Sequence, residues 1–237
     1  MRRKYVQEEN IEKWLSPAQL ALTKVNFDLK CKNERQKQFV RLIDSKDIVI
    51  CAGPAGTGKT YVACAEALKL LAKKSDIYKK IIIVKSVTVL EGEEIGFLKG
   101  TMKEKMDPYM ISFMDNFYKL IGKELSKNLE AQELIEIMPL AYIRGRSIDN
   151  AIIIVDEAQN MPKHHLISTV TRIGENSKMI FLADEDQIDL KKKESSGLSW
   201  FFNSVTDLEE FGTMRFERSD IVRNPLITKF LDHIQNT

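Results

Sequence analysis

The chain is expected to fold as an α/β protein, a mainly parallel sheet with helices on both faces, and three observations lead there. From residue 47 onward, short β-branched runs alternate with segments of helical period, the pattern of repeated strand–helix–strand units. An apolar run ending at Ala52 passes into Gly53-Pro-Ala-Gly-Thr-Gly-Lys-Thr60 and then into a helical pattern, the context that a phosphate-binding loop requires. A second run, Ala151-Ile-Ile-Ile-Val155, ends in Asp156-Glu157, and the carboxyl edge of a parallel sheet is where ligands bind.

At 237 residues there is material for one sizeable core and not for two large ones. The net charge of +2 neither requires nor excludes a nucleic-acid partner, so charge has to be judged locally. Cys31, Cys51 and Cys64 are odd in number and lack metal-ligand spacing, which suits reduced thiols in a cytoplasm. No uncharged apolar run is long enough to span a bilayer and the start has no apolar signal core, so a cytoplasmic protein without membrane insertion is expected, in the host cytoplasm if phage-encoded.

Taken in order, residues 1–30 are charged and mixed. An amphipathic piece around Val6, Ile11, Trp14 and Leu15 is expected to stop at Ser16-Pro17, making this stretch an extension or docking arm ahead of a domain over 31–237. Cys31 to Ile43 reads as a helix; its Gln36 lies one short helix upstream of the loop, where an amide can read adenine or simply face solvent. Asp47 to Ala52 reads as a buried strand and Tyr61 to Lys73 as a helix whose alanines permit close packing. Lys80 to Val84 is a second strand, with Lys85 at its carboxyl end, and Glu91 to Gly100 is a Gly-punctuated loop. Asp107-Pro108 looks like an N-cap and first helical residue opening a helix that ends at Gly122, with a core stripe of Met110, Phe113, Met114, Phe117, Leu120 and Ile121.

Lys123 to Leu134 is a further helix and Ile135 to Met138 a short strand. Arg144 and Arg146 then flank a glycine on a turn that suits phosphate or nucleic acid, or plain solvation. Pro162 to Arg172 is helical with His164 and His165 at its surface; Lys178 to Ala183 is a buried strand ending in Asp184-Glu-Asp-Gln187. Lys191 to Lys193 form a solvated turn or part of a nucleic-acid track, Gly197 to Val205 a helix, Phe211 to Phe216 a last strand, and the stretch to Ile234 a closing helix.

The chemistry expected of these residues is that of ATP with Mg²⁺. Gly53, Pro54, Ala55, Gly56, Thr57 and Gly58 let the backbone wrap a phosphate chain, with N–H groups and the following helix terminus pointing inward. Lys59 would meet the β and γ phosphates, Thr60 would lend its hydroxyl to Mg²⁺, Asp156 would hold the ion through its water shell, Glu157 would orient the attacking water, and Gln187 would contact the γ-phosphate.

In order, the Gly53 loop, Glu91-Gly-Glu-Glu-Ile-Gly-Phe-Leu, Asp107-Pro-Tyr, Pro139-Leu-Ala-Tyr-Ile-Arg-Gly-Arg, Asp156-Glu-Ala-Gln and Asp184-x-x-Gln187 resemble the PhoH-like family, relatives of the superfamily 1 helicases, over roughly residues 31–230. The resemblance implies a RecA-like, ATP-hydrolysing domain associated with RNA and with phosphate starvation, assembling as a ring-like homo-oligomer such as a hexamer. It implies that Gln36 reads adenine and that the loops at Lys85 and at Arg144 to Arg146 face single-stranded RNA or DNA. The chain departs from many members at Lys85-Ser86, Ala183 and Asn224. It has room for one RecA-like domain and none for an appended nuclease, so a transition-state arginine is expected from a neighbouring subunit, with Arg172 and Arg223 as candidates and a surface ion pair as the other reading of each. Three function classes stay open: a nucleic-acid-remodelling ATPase, helicase-like; a slow regulatory nucleotide-binding protein; and a small-molecule kinase.

Overall fold

Six strands pair into one sheet among the described residues, β1 (Ile48–Ala52), β2 (Lys80–Lys85), β3 (Ile135–Pro139), β4 (Ala151–Asp156), β5 (Lys178–Ala183) and β6 (Phe211–Arg215), and β1, β2 and β4 are mostly β-branched. The order across the sheet is β3-β2-β4-β5-β1-β6, and every pairing is parallel. The structure is a computed structural model that describes residues 15–26, 29–86, 102–190, 196–222 and 233, with backbone alone over 102–110. The Glu91–Gly100 loop, the Lys191–Lys193 run, Arg223 and the expected closing helix lie outside the described residues.

The helices are α1 (Pro17–Thr23), α2 (Glu34–Ser45), α3 (Lys59–Lys73), α4 (Met102–Ile121), α5 (Lys123–Ala131), α6 (Lys163–Val170) and α7 (Leu198–Ser204). Because side chains alternate across a strand, each strand feeds two cores. Val49, Cys51, Ile81, Ile83, Ile152 and Ile154 face α1 to α5, where Leu22, Phe39, Leu68, Phe113, Phe117 and Leu129 are buried. Ile50, Ile82, Ile153 and Phe181 face α6 and α7, against Leu166, Phe201 and Phe202. The central strands are buried on both faces, which is why they read as unbroken apolar runs and not as alternation.

Ser16-Pro17 opens a helix, while the amphipathic piece expected to stop there lies outside the described residues up to position 14: Ser16 Oγ accepts from the Gln19 N–H at 3.2 Å, Gln19 Oε1 accepts from the Ser16 N–H at 3.0 Å, and Pro17 takes the first position, where no donor is needed. Leu22 and Ala18 of that helix are buried in the main core. Asp107-Pro108 does not open a helix; α4 already begins at Met102 and runs through it. One proline removes one helical hydrogen bond, and the burial of Phe113, Met114 and Phe117 farther along outweighs that loss. Gly122, at φ +81°, ends α4 as expected.

Candidate nucleotide-binding site

The loop between β1 and α3 is held open by its glycines. Gly53 has φ +144°, and a Cβ there would lie 2.6 Å from the Cβ of Phe216; Gly58 has φ +85° and caps α3, where a Cβ would lie 2.7 Å from Gln36 Nε2. Gly53 excludes other residues on backbone and on space; Gly58 disfavours them through its backbone, since the atom it meets is the end of the Gln36 side chain. The loop is braced by the Gly53 N–H donating to the Ala183 carbonyl (3.2 Å), the Val222 N–H to the Gly56 carbonyl (3.0 Å) and the buried Thr57 hydroxyl to the Pro54 carbonyl (3.0 Å). Gln36 is buried, not on a solvated face: it donates to the Thr57 carbonyl at 2.9 Å and accepts from the Lys32 N–H at 2.7 Å. It does not itself line the cavity around Lys59 and Asp156.

Lys59 folds back onto the loop, donating to the carbonyls of Gly53 (2.5 Å) and Pro54 (2.8 Å). Burial pushes its ammonium below the ordinary lysine value, against the pull of Asp184 and, more weakly, of Asp156 and Glu157. A cradle of loop carbonyls holding a partly desolvated cation is the arrangement an incoming phosphate displaces. Across the cavity, β4 delivers Asp156 and Glu157 to the carboxyl edge of the sheet. Burial raises the Asp156 carboxyl above its ordinary value despite Lys85, whose Nζ lies 3.5 Å away. Burial, and then the neighbouring Asp156, raise Glu157. Glu157 sits in the left-handed region at φ +57°, uncommon for a residue with a side chain and a mark of local constraint at working sites.

A cavity of about 640 Å³ brings Gly56, Lys59, Thr60, Asp156, Glu157 and Gln187 to one space. Among the described residues no three acid, histidine or cysteine side chains form a ready-made metal site; Thr60 and Asp156 contribute oxygen atoms to the cavity, the donor type Mg²⁺ takes when water and phosphate complete its shell. Gln187 donates to Asp184 Oδ2 at 2.7 Å. Lys85, expected on a nucleic-acid loop, instead lines this cavity, because the register that pairs β2 with β4 sets it directly beside Asp156.

Other expected residues are not gathered there. Arg146 pairs with Glu136 at 3.4 Å along β3, while Arg144 is exposed on the turn that Gly145 makes at φ +77°. Arg172 follows α6 and bonds the carbonyls of Ser168 (3.2 Å) and Arg146 (3.5 Å). It lies next to Ile173, which bridges Ile148 before β4 begins, so it sits toward the amino edge of the sheet, opposite its own nucleotide cavity.

Sequence reading passed over Gln159, fully buried in the 3₁₀ turn after β4. Its amide donates to Glu157 Oε2 (2.5 Å) and to the Gln187 carbonyl (3.0 Å), and its oxygen accepts from the Asp184 N–H (2.9 Å). A polar residue two places past a strand-end acid pair was the available signal; its burial was not. Asn116 and Lys119 of α4, which the sequence did not single out, also line the nucleotide cavity.

A glycine loop closing on a helix, an acid pair on a strand separated from the loop strand by β5, and a parallel sheet behind them define a RecA-like P-loop NTPase fold. The PhoH-like protein family profile matches residues 28–235, and the chain belongs to that family. It is 38% identical over 204 residues to the PhoH-like protein of Bacillus subtilis, covering 86% of this chain and 63% of that protein. It is 35% identical over 202 residues to Protein PhoH of Escherichia coli, covering 84% of this chain and 56% of the other. The chain therefore spans less than two thirds of the length of these relatives. Among solved structures, the helicase domain of Hef from Pyrococcus furiosus aligns at a TM-score of 0.47 and 14% identity, over 79% of this chain and 38% of that one, a likeness too loose to bear on function.

Proposed function

We propose that this PhoH-like chain binds Mg²⁺–ATP in the cavity between the Gly53–Thr60 loop and β4, hydrolyses it, and couples hydrolysis to binding or remodelling single-stranded RNA or DNA. The observation that carries the reading is the meeting of loop, cation and acid pair in one cavity: Lys59, Thr60, Asp156 and Glu157 share it. Loop N–H groups and Lys59 would hold the phosphates, and leaving the Gly53 and Pro54 carbonyls is the only rearrangement Lys59 needs. Thr60 and Asp156 would hold Mg²⁺, which when bound neutralises charge on the phosphate oxygens. Glu157, its pKa raised and its carboxylate tethered by Gln159, suits a base that takes a proton from water. Gln36 beside the loop suits recognition of adenine.

Arg172 cannot reach its own cavity from the far edge of the sheet, so in this reading it, or Arg223, acts on a neighbouring subunit of a homo-oligomer; such an arginine is worth about 10³ to 10⁵ in rate. Exposed Arg144 beside half-exposed Tyr142 supports a nucleic-acid surface at the 3₁₀ turn after β3, since cation and aromatic ring together suit single strands.

The test is steady-state ATP hydrolysis with and without single-stranded RNA and DNA, across protein concentration, beside direct ATP binding. Lys59→Ala should lose ATP binding while keeping the fold, and Glu157→Gln should bind ATP and stop turning it over. Stimulation by one polymer identifies the track. A rate indifferent to polymer and to concentration would overturn the motor reading and leave a slow regulatory ATPase; phosphoryl transfer to an acceptor other than water would make it a kinase.

A further inference from the structure

Helix α4 packs against the P-loop helix α3 and contributes part of the lining of the nucleotide cavity. Residues 112, 116 and 119 fall on one helical face at i, i+4 and i+7, and Ser112, Asn116 and Lys119 all line the cavity. The other face of the same helix carries Phe113 and Phe117, which are essentially fully buried, so this lining is fixed by the core and is not a loose flap. Three carboxylates face this cavity, Asp156, Glu157 and Asp184, together with three ammonium groups, Lys59, Lys85 and Lys119.

The two other lysines are already engaged. Lys59 is held by the loop carbonyls and Lys85 lies 3.5 Å from Asp156. Among the described residues Lys119 forms no ion pair or hydrogen bond, and its side chain is exposed to the cavity. A magnesium-bound triphosphate is anionic, and the acid pair that activates water repels it. A cation from α4 in the same cavity offsets that repulsion in addition to Lys59.

Resting on the nucleotide-site reading above, we infer that Lys119, with Asn116 beside it, is part of the nucleotide site: α4 supplies in cis a second phosphate-binding cation. Lys119 acts as a point charge on a flexible stem and Asn116 as a neutral donor. The terminal-phosphate contacts are then shared between the loop and a helix that lies between β2 and β3 in the chain, outside every motif that marks the loop and the acid pair.

The experiment is equilibrium binding of a fluorescent ATP analogue with Mg²⁺ to wild type, Lys119→Met, Lys119→Arg and Lys127→Ala, with Lys59→Ala as reference and thermal melting of each variant as the fold control. Lys119→Met keeps the stem and removes the charge, so affinity should fall about tenfold, the usual weight of a hydrogen bond to a charged group, with the melting midpoint unchanged. Lys119→Arg should restore most of the affinity, and Lys127→Ala, which removes the same charge from the exposed side of α5, should change nothing. Unaltered binding by Lys119→Met, or an equal loss in Lys127→Ala, overturns the inference while leaving the loop assignment standing. Absence of binding by the wild-type protein overturns both.

Discussion

In the proposed reaction Glu157 is the base, and its surroundings set the pH at which it would work. Burial and the adjacent Asp156 raise its carboxyl, while the hydrogen bond from Gln159 lowers it. A base acts only when ionised, so the acid limb of the pH–rate profile should lie above the ordinary glutamate value of about 4.3; a limb at or below that value would exclude Glu157 as the base. Gln159→Ala removes the one lowering hydrogen bond, so the limb should move to higher pH and the maximal rate fall while ATP still binds. The same change strips partners from the Asp184 N–H and the Gln187 carbonyl, at a stability loss of about 1–3 kcal/mol measurable by denaturant unfolding. The identities of Asp156 and Glu157 were legible because an apolar strand ending in two acids is a local pattern. Gln159 was not, because its part depends on residues 25 and 28 positions further along the chain that only the fold brings near.

At the scale of elements, the loop was readable and the walls around it were not. Gly53→Ala places a Cβ 2.6 Å from that of Phe216 at a φ of +144°, so loop and β6 end must separate. ATP affinity should collapse while the sheet's circular-dichroism signal stays, and retained affinity would show that the loop tolerates a different path. Helix α1 offers a complementary test. Leu22 is completely buried against the main core, so Leu22→Ala should cost about 2–5 kcal/mol by chemical denaturation, whereas a dispensable docking arm would cost almost nothing. The helix that opens at Ser16-Pro17 went unread although its sign is local: Gln19, three residues on, completes the capping box. In α4 the apolar stripe was legible by period, but that Ser112, Asn116 and Lys119 line the cavity followed only from packing beside the P-loop helix.

For the whole molecule, the sheet's lower edge carries a titration separate from the site. Burial lowers the Lys178 ammonium to about 8, against the pull of Asp47, while it donates to the Lys46 carbonyl. In the unfolded chain that lysine titrates near the ordinary 10.5. Between those values the unfolded state binds more protons, so stability should rise as pH increases from about 8 toward 10. Lys178→Met should remove that increment, and a rise of equal size in the variant would assign it to other groups. No helix among the described residues is long and apolar enough to cross a membrane. The sequence by itself determined the alternation of strands and helices, the phosphate loop and the acid pair, because each depends on neighbours a few residues apart, on period and on backbone permissiveness. Only the tertiary structure decided that Lys85 pairs with Asp156, that Gln36 is buried against the loop, that Gln159 joins two strand ends, and that α4 walls the cavity. Those contacts arise from strand order and helix packing, which bring together residues that no local pattern relates.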